Sequence, residues 1–233
     1  MATAVLFDLD DTLYPYPPCN RAGKEAAKEA ARERGYEFDD GEFEDFYRTG
    51  RSEVKRHLSG TAASHERLLY FKHALEEHTG RPQPADALAL GDAYWNGFLD
   101  AMEPFPGTRG TLETLRDRGI DVAIVTNLTT RIQLRKLERL GIADDIDLLL
   151  TSEEVGREKP DSVMYTLPLA RLDRRASEAV MVGNSVASDI VGANAVGIET
   201  VLFNGDVGDE GLEGRREPDH RIDSLEELTE RVL

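Results

Sequence analysis

From Thr108 to Phe203, short apolar runs alternate with amphipathic stretches, and few folds accept such an order. Helix is expected over Thr108 to Arg118, Thr129 to Leu140, Ser162 to Ala170 and Ser188 to Ala195. Strand is expected over Asp121 to Val125, Ile146 to Leu150, Ala179 to Val182 and Glu199 to Phe203. Strands joined through helices run parallel, so an α/β fold is expected, with a parallel sheet wound by helices. Ala4 to Phe7 reads as one more buried strand of that sheet. Between it and the alternating segment lies a long block with helical patterning and no convincing strand. The chain is therefore read as a core at 1–14 and 104–233 with an all-helical domain inserted at 15–103.

Inside the insertion, Tyr14-Pro15-Tyr16-Pro17-Pro18 reads as a connector that cannot begin a helix before its last proline. Helices are expected from Asn20 to Arg34, with Gly35 as the stop, and from about Asp40 to about His57 with a break near Gly50. A third is expected to be capped by Ser64 and ended by Gly80. A fourth follows Pro84, where Leu88, Gly91, Trp95, Phe98 and Met102 recur at helical spacing as a core stripe. Near the other end, Gly205 to Gly214 reads as a surface loop, and Asp223 or Ser224 as the cap of a final helix.

A formal net charge of −17 argues against nucleic acid as a partner, since phosphate backbones are held by clustered basic residues. No stretch approaches the uncharged length that crosses a bilayer, and no signal peptide is read ahead of the first strand; a cytoplasmic protein with no membrane partner is expected. The single cysteine, Cys19, fits a reducing compartment. Surplus surface acid also suggests a protein that works at high salt, where self-repulsion is screened. The histidines show no metal-ligand spacing.

Chemistry is expected where strands end. The run Ala4 to Phe7 stops at Asp8-Leu9-Asp10-Asp11, and in an open α/β sheet ligands bind beyond the carboxyl ends of the strands. Asp8 and Asp10, two apart on an extended chain, can point into one small site, where repulsion raises one pKa or calls for a cation. Turns and helix caps use the same residue types, so Asp11-Thr12 also reads as turn chemistry. Three more polar clusters follow core strands. Thr126-Asn127 offers a hydroxyl and backbone amides to an anion, Lys159 before Pro160 offers a point charge, and Gly183 to Asp189 ends in an acid that can meet a metal. Arg48, Arg51, Lys55 and Arg56 can meet a second anionic group or simply face solvent.

Taken in order, Asp8-Leu9-Asp10-Asp11-Thr12, Thr126-Asn127, Lys159-Pro160 and Gly183-Asn184-Ser185-Val186-Ala187-Ser188-Asp189 resemble the motifs of the haloacid dehalogenase superfamily of phosphotransferases. The likeness covers nearly the whole chain, with the insertion as a helical cap of the first type. It implies a Rossmann-like core and a Mg²⁺-dependent phosphatase acting on a small phosphorylated metabolite. Dehalogenases of the superfamily lack the second aspartate, so Asp10 resembles the phosphatase branch. The resemblance implies Asp8 as nucleophile, Asp10 as proton carrier, and Thr126, Asn127 and Lys159 as holders of the phosphoryl oxygens. It implies Mg²⁺ on Asp8, Asp189 and the backbone carbonyl of Asp10. Asn184 stands where the superfamily usually has an acid; its amide oxygen can accept from a metal-bound water but brings no charge.

Rival readings remain at this level. A phosphomutase on the same fold would return the phosphoryl group to a sugar. A receiver-like phospho-acceptor would carry its acid at the end of the third strand, where Leu148-Leu149-Leu150-Thr151-Ser152 has none. A non-catalytic binding protein would not need both Asp8 and Asp10, though Asn184 in place of an acid keeps that reading open. Neither the ester cleaved nor the oligomeric state is legible in the residues.

Overall fold

The structure, a computed structural model, describes residues 2–204 and 212–232, so most of the loop read at Gly205 to Gly214 lies outside the described residues. The strands are β1 (Ala4–Phe7), β2 (Asp121–Thr126), β3 (Leu148–Thr151), β4 (Ala179–Gly183), β5 (Glu199–Phe203) and β6 (His220–Ile222). The helices are α1 (Tyr16–Glu33), α2 (Asp40–Leu58), α3 (Arg67–Thr79), α4 (Pro84–Asp100), α5 (Thr108–Asp117), α6 (Thr130–Leu140), α7 (Ser152–Val155), α8 (Val163–Leu172) and α9 (Val191–Val196). They divide into two compact units: Met1–Pro15 with Glu103–Asn127 and Leu140–Leu233, and Tyr16–Met102 with Leu128–Arg139.

The first unit is built on a six-stranded sheet of order β3-β2-β1-β4-β5-β6, parallel at every pairing. β1 and β4 are buried along their whole length, as parallel strands covered on both faces must be. Leu6, Val125 and Met181 pack with Met164, Tyr165 and Leu169 of α8 and Ala193 of α9. Phe7 pairs with Ile124 on one side and Val182 on the other, so the residue after it emerges between the ends of β2 and β4. Strand order reverses direction there, and at such a switch point the loops part to leave a crevice. The sixth strand was not foreseen: His-Arg-Ile at a sheet edge has no apolar run to mark it.

The second unit holds α1 along α4, α2 on α3 and α3 on α4 around Phe43, Phe46, Tyr47, Tyr70, Phe71, Tyr94 and Phe98. Three local expectations change. α1 begins at Tyr16 and carries Pro17 and Pro18 in its first turn, where amide hydrogens have no helical partner and a proline loses nothing. α2 runs unbroken through Gly50, whose absent side chain admits the backbone of α3: a Cβ there would stand 1.9 Å from the Tyr70 carbonyl oxygen. The cap of α3 is Glu66, accepting from Leu68 N at 3.2 Å, while Ser64 sits in the 3₁₀ turn before it.

Most of α6 joins this unit through named contacts. Arg135 bonds Asn96 at 2.8 Å, Arg139 bonds the Leu99 carbonyl at 2.9 Å, and the Lys136 ammonium lies 5.3 Å from the Phe98 ring centroid. No helix among the described residues is long and apolar enough to cross a membrane.

Candidate active site

Asp8 is the first residue beyond β1, and its amide still donates to Val182 O of β4 at 2.9 Å, which fixes its main chain at the sheet edge. The side chain is buried. Its Oδ1 receives Lys159 Nζ at 2.6 Å and its Oδ2 receives the Thr12 hydroxyl at 3.2 Å. Lys159 also reaches Asp189 Oδ1 at 2.7 Å, so one ammonium bridges two carboxylates that lie far apart in sequence. Only 5% of Lys159 is exposed, which makes this a desolvated cluster and not a surface ion pair.

Each member is held by its own local structure. Lys159 is gripped through its main chain by Asn127, whose Oδ1 accepts from Lys159 N at 2.9 Å and whose Nδ2 donates to Lys159 O at 3.4 Å. Asp189 belongs to a π-helical turn, Val186–Ile190, a wide turn often met at functional sites. Its Oδ2 accepts from Ser185 N at 3.0 Å, and the Tyr165 hydroxyl donates to the neighbouring Ser188 carbonyl. Gly183 makes room for it: a Cβ at 183 would stand 2.3 Å from Asp189 Oδ2.

The charges do not balance. Burial raises the Asp8 pKa most; Lys159 pulls it down, while Asp189 and Asp10 push it up again, and the result is about 7. For Lys159, burial opposes the charge, but Asp189 and Asp8 outweigh it and raise its pKa, so the ammonium is retained. Two buried acids with Asp10 nearby share one buried lysine; burial first, and the neighbouring carboxylates after it, hold a proton on Asp8.

The structure thus brings Asp8, Lys159, Asp189 and Asn127 together in direct contact. Thr126, the buried last residue of β2, and Asn184, half-buried just past β4, stand at the ends of the strands that flank β1. Asp10 lies half-buried one turn beyond Asp8, bonded to Tyr14. Sequence reasoning missed Tyr14, read only as part of a connector, and Tyr165, which carried no signal beyond its helical spacing. It also placed Asn127 by its amide alone, not by its grip on Lys159. In the helical unit, Arg48 pairs with Asp45 and Arg56 with Glu53 on exposed helix faces.

Over residues 2–197 the sequence matches the haloacid dehalogenase-like hydrolase family, and the chain belongs to that family. It is a phosphoric monoester hydrolase. It is 63% identical over 238 residues to the ribulose-1,5-bisphosphate 5-phosphatase of Halopiger xanaduensis, with all of both chains covered. It is 35% identical over 236 residues to the glyceraldehyde 3-phosphate phosphatase of Methanopyrus kandleri, covering all of this chain and 97% of that one. Among solved structures, the 2-haloacid dehalogenase from Pseudomonas syringae superposes with a TM-score of 0.77 at 28% identity, covering 99% and 97% of the two chains.

Proposed function

We propose that the protein is a Mg²⁺-dependent phosphatase that removes the 5-phosphate of ribulose 1,5-bisphosphate through an aspartyl-phosphate on Asp8. The observation that carries the chemistry is the buried Asp8 carboxylate, bonded to Lys159 at 2.6 Å at the switch point of the sheet. The substrate rests on the relative with which the chain shares 63% of its residues from end to end.

The residues fit the ion. Surplus buried carboxylate is relieved by a divalent cation, and Mg²⁺ needs only one or two carboxylates, the remainder of its shell being water and substrate phosphate. Asp8, Asp189 and the backbone carbonyl of Asp10 would hold it, with Asn184 reaching it through a water. Bound there, the ion would offset the repulsion between nucleophile and phosphate.

In this reading an Asp8 oxygen attacks phosphorus, the ester P–O bond breaks, and the leaving alcohol takes a proton from Asp10. Water then attacks the phosphorus of the aspartyl-phosphate, Asp10 takes back a proton, and the Asp8–phosphorus bond breaks to release phosphate. Thr12 keeps one Asp8 oxygen in place through both steps. Lys159, Thr126 and the Asn127 amide hold the equatorial oxygens, because phosphoryl transfer asks mainly for position and charge. The lone buried Cys19 accords with a cytoplasmic setting.

The test is phosphate release from ribulose 1,5-bisphosphate and from glyceraldehyde 3-phosphate, with Mg²⁺ and with EDTA, followed by mass spectrometry of acid-quenched enzyme. Turnover that needs Mg²⁺, favours the bisphosphate and leaves phosphate on the Asp8 peptide is expected. Preference for the triose phosphate would overturn the substrate, and an unphosphorylated Asp8 under rapid quench would overturn the route.

A further inference from the structure

The turn that follows β1 supplies a hydroxyl to Asp8 and to Asp10 at the same offset. Thr12 donates to Asp8 and Tyr14 donates to Asp10 Oδ1, four residues on in both cases. The main chain enforces this. Asp11 takes a left-handed conformation (φ 66°), its amide donates to Tyr14 O at 3.0 Å, and Asp10 and Tyr14 form an isolated parallel bridge. Leu13 O is tied down in turn by Phe105 N at 3.0 Å and by the Thr108 hydroxyl at 3.1 Å. Tyr14 itself is fully buried, so its ring is gripped by the core while its hydroxyl points back along the turn.

We infer that Tyr14 is a positioning residue for proton transfer: its phenol holds the Asp10 carboxyl in one rotation, so that the proton given to the leaving alcohol rides on Oδ2. A phenol O–H that donates to Oδ1 occupies that oxygen as an acceptor, and a protonated carboxyl then carries its hydrogen on the other oxygen. Rotation about the Cβ–Cγ bond would break the bond to a group that cannot follow, because the Tyr14 ring is packed. A buried tyrosine hydroxyl must find some partner, and a purely structural tyrosine would serve stability alone. The two roles separate by leaving group. An alcohol leaves only with a proton, whereas p-nitrophenolate leaves without one, so misplacing the acid penalises the first far more.

The inference rests on the role given above to Asp10, and the experiment separates the two. For each variant, kcat/KM is measured with ribulose 1,5-bisphosphate and with p-nitrophenyl phosphate, and their ratio is taken within one preparation, which cancels any difference in folded fraction. Tyr14→Phe is expected to lower the ratio ~10- to ~100-fold. In an Asp10→Asn background, where no proton is available to be placed, adding Tyr14→Phe is expected to leave the ratio where Asp10→Asn put it. A ratio unchanged by Tyr14→Phe, or an equal fall in both backgrounds, would overturn the positioning role while leaving Asp10 as the acid. An Asp10→Asn ratio equal to the wild type's would remove the acid itself, and the inference with it.

Discussion

Asp8 carries two burdens that point in opposite directions. As the proposed nucleophile it must be ionised, yet burial and the neighbouring acids hold its pKa near 7. An unfolded aspartate loses its proton near ~3.9, so between that value and about 7 the folded protein holds a proton the unfolded chain does not. Stability therefore falls as pH rises through this window. In EDTA, unfolding free energies of the wild type are expected to decline between roughly pH 4 and pH 7 relative to Asp8→Asn, which has no such proton. Parallel pH profiles for the two proteins would contradict the assignment. Asp8→Asn is also expected to abolish turnover by more than ~10³-fold while remaining folded, measured by phosphate release and circular dichroism. Lys159 is the opposite case. Lys159→Met leaves Asp8 and Asp189 facing each other without their shared cation, and at pH 8 an unfolding free energy lower by about 3–5 kcal/mol is expected in urea titrations.

Two absent side chains shape the elements, one at this site and one inside the helical unit. Gly183 ends β4 where the Asp189 carboxylate lies across its Cα, and Gly183→Ala is expected to displace that carboxylate, lower kcat/KM ~100-fold and raise the Mg²⁺ concentration for half-maximal activity. Gly50 serves packing instead. Gly50→Ala drives a methyl into the Tyr70 carbonyl, with an expected cost of about 1–3 kcal/mol or more in denaturant unfolding. The two glycines also show what sequence conveys and what it withholds. Gly183 sits inside a recognisable strand-end cluster, Asp8 directly follows an apolar run, and Lys159 and Asp189 lie in the stretches after β3 and β4, so a shared rim is legible from these strand-end positions. Gly50 was read as a breaker because glycine signals both a stop and a close crossing, and only the partner helix separates them. The hydroxyl of Tyr14, the start of α1 and the edge strand β6 were illegible for a related reason: each depends on a main-chain path or neighbour that no local pattern encodes. The same holds for α6, which follows β2 in the alternating segment yet groups with the helical unit through Arg135, Lys136 and Arg139.

On the scale of the whole molecule, charge dominates. A formal net charge of −17 exerts a self-repulsion that is largest where screening is weak. At molar salt the Debye length shrinks to ~3 Å, and the thermal unfolding midpoint is expected to rise steadily from low salt to molar KCl. A flat midpoint across that range would mean that the surplus acid is neutral for folding.

The seam at Leu13 gives the insertion its freedom. The chain leaves the sheet just after that residue and, once back, bonds the same carbonyl through Phe105 and Thr108. A segment whose exit and return are stapled to one point can grow, shrink or be exchanged without tugging on the acids beside it. Over generations the detour can thus be rewritten in length and sequence while the strand-end acids keep their place.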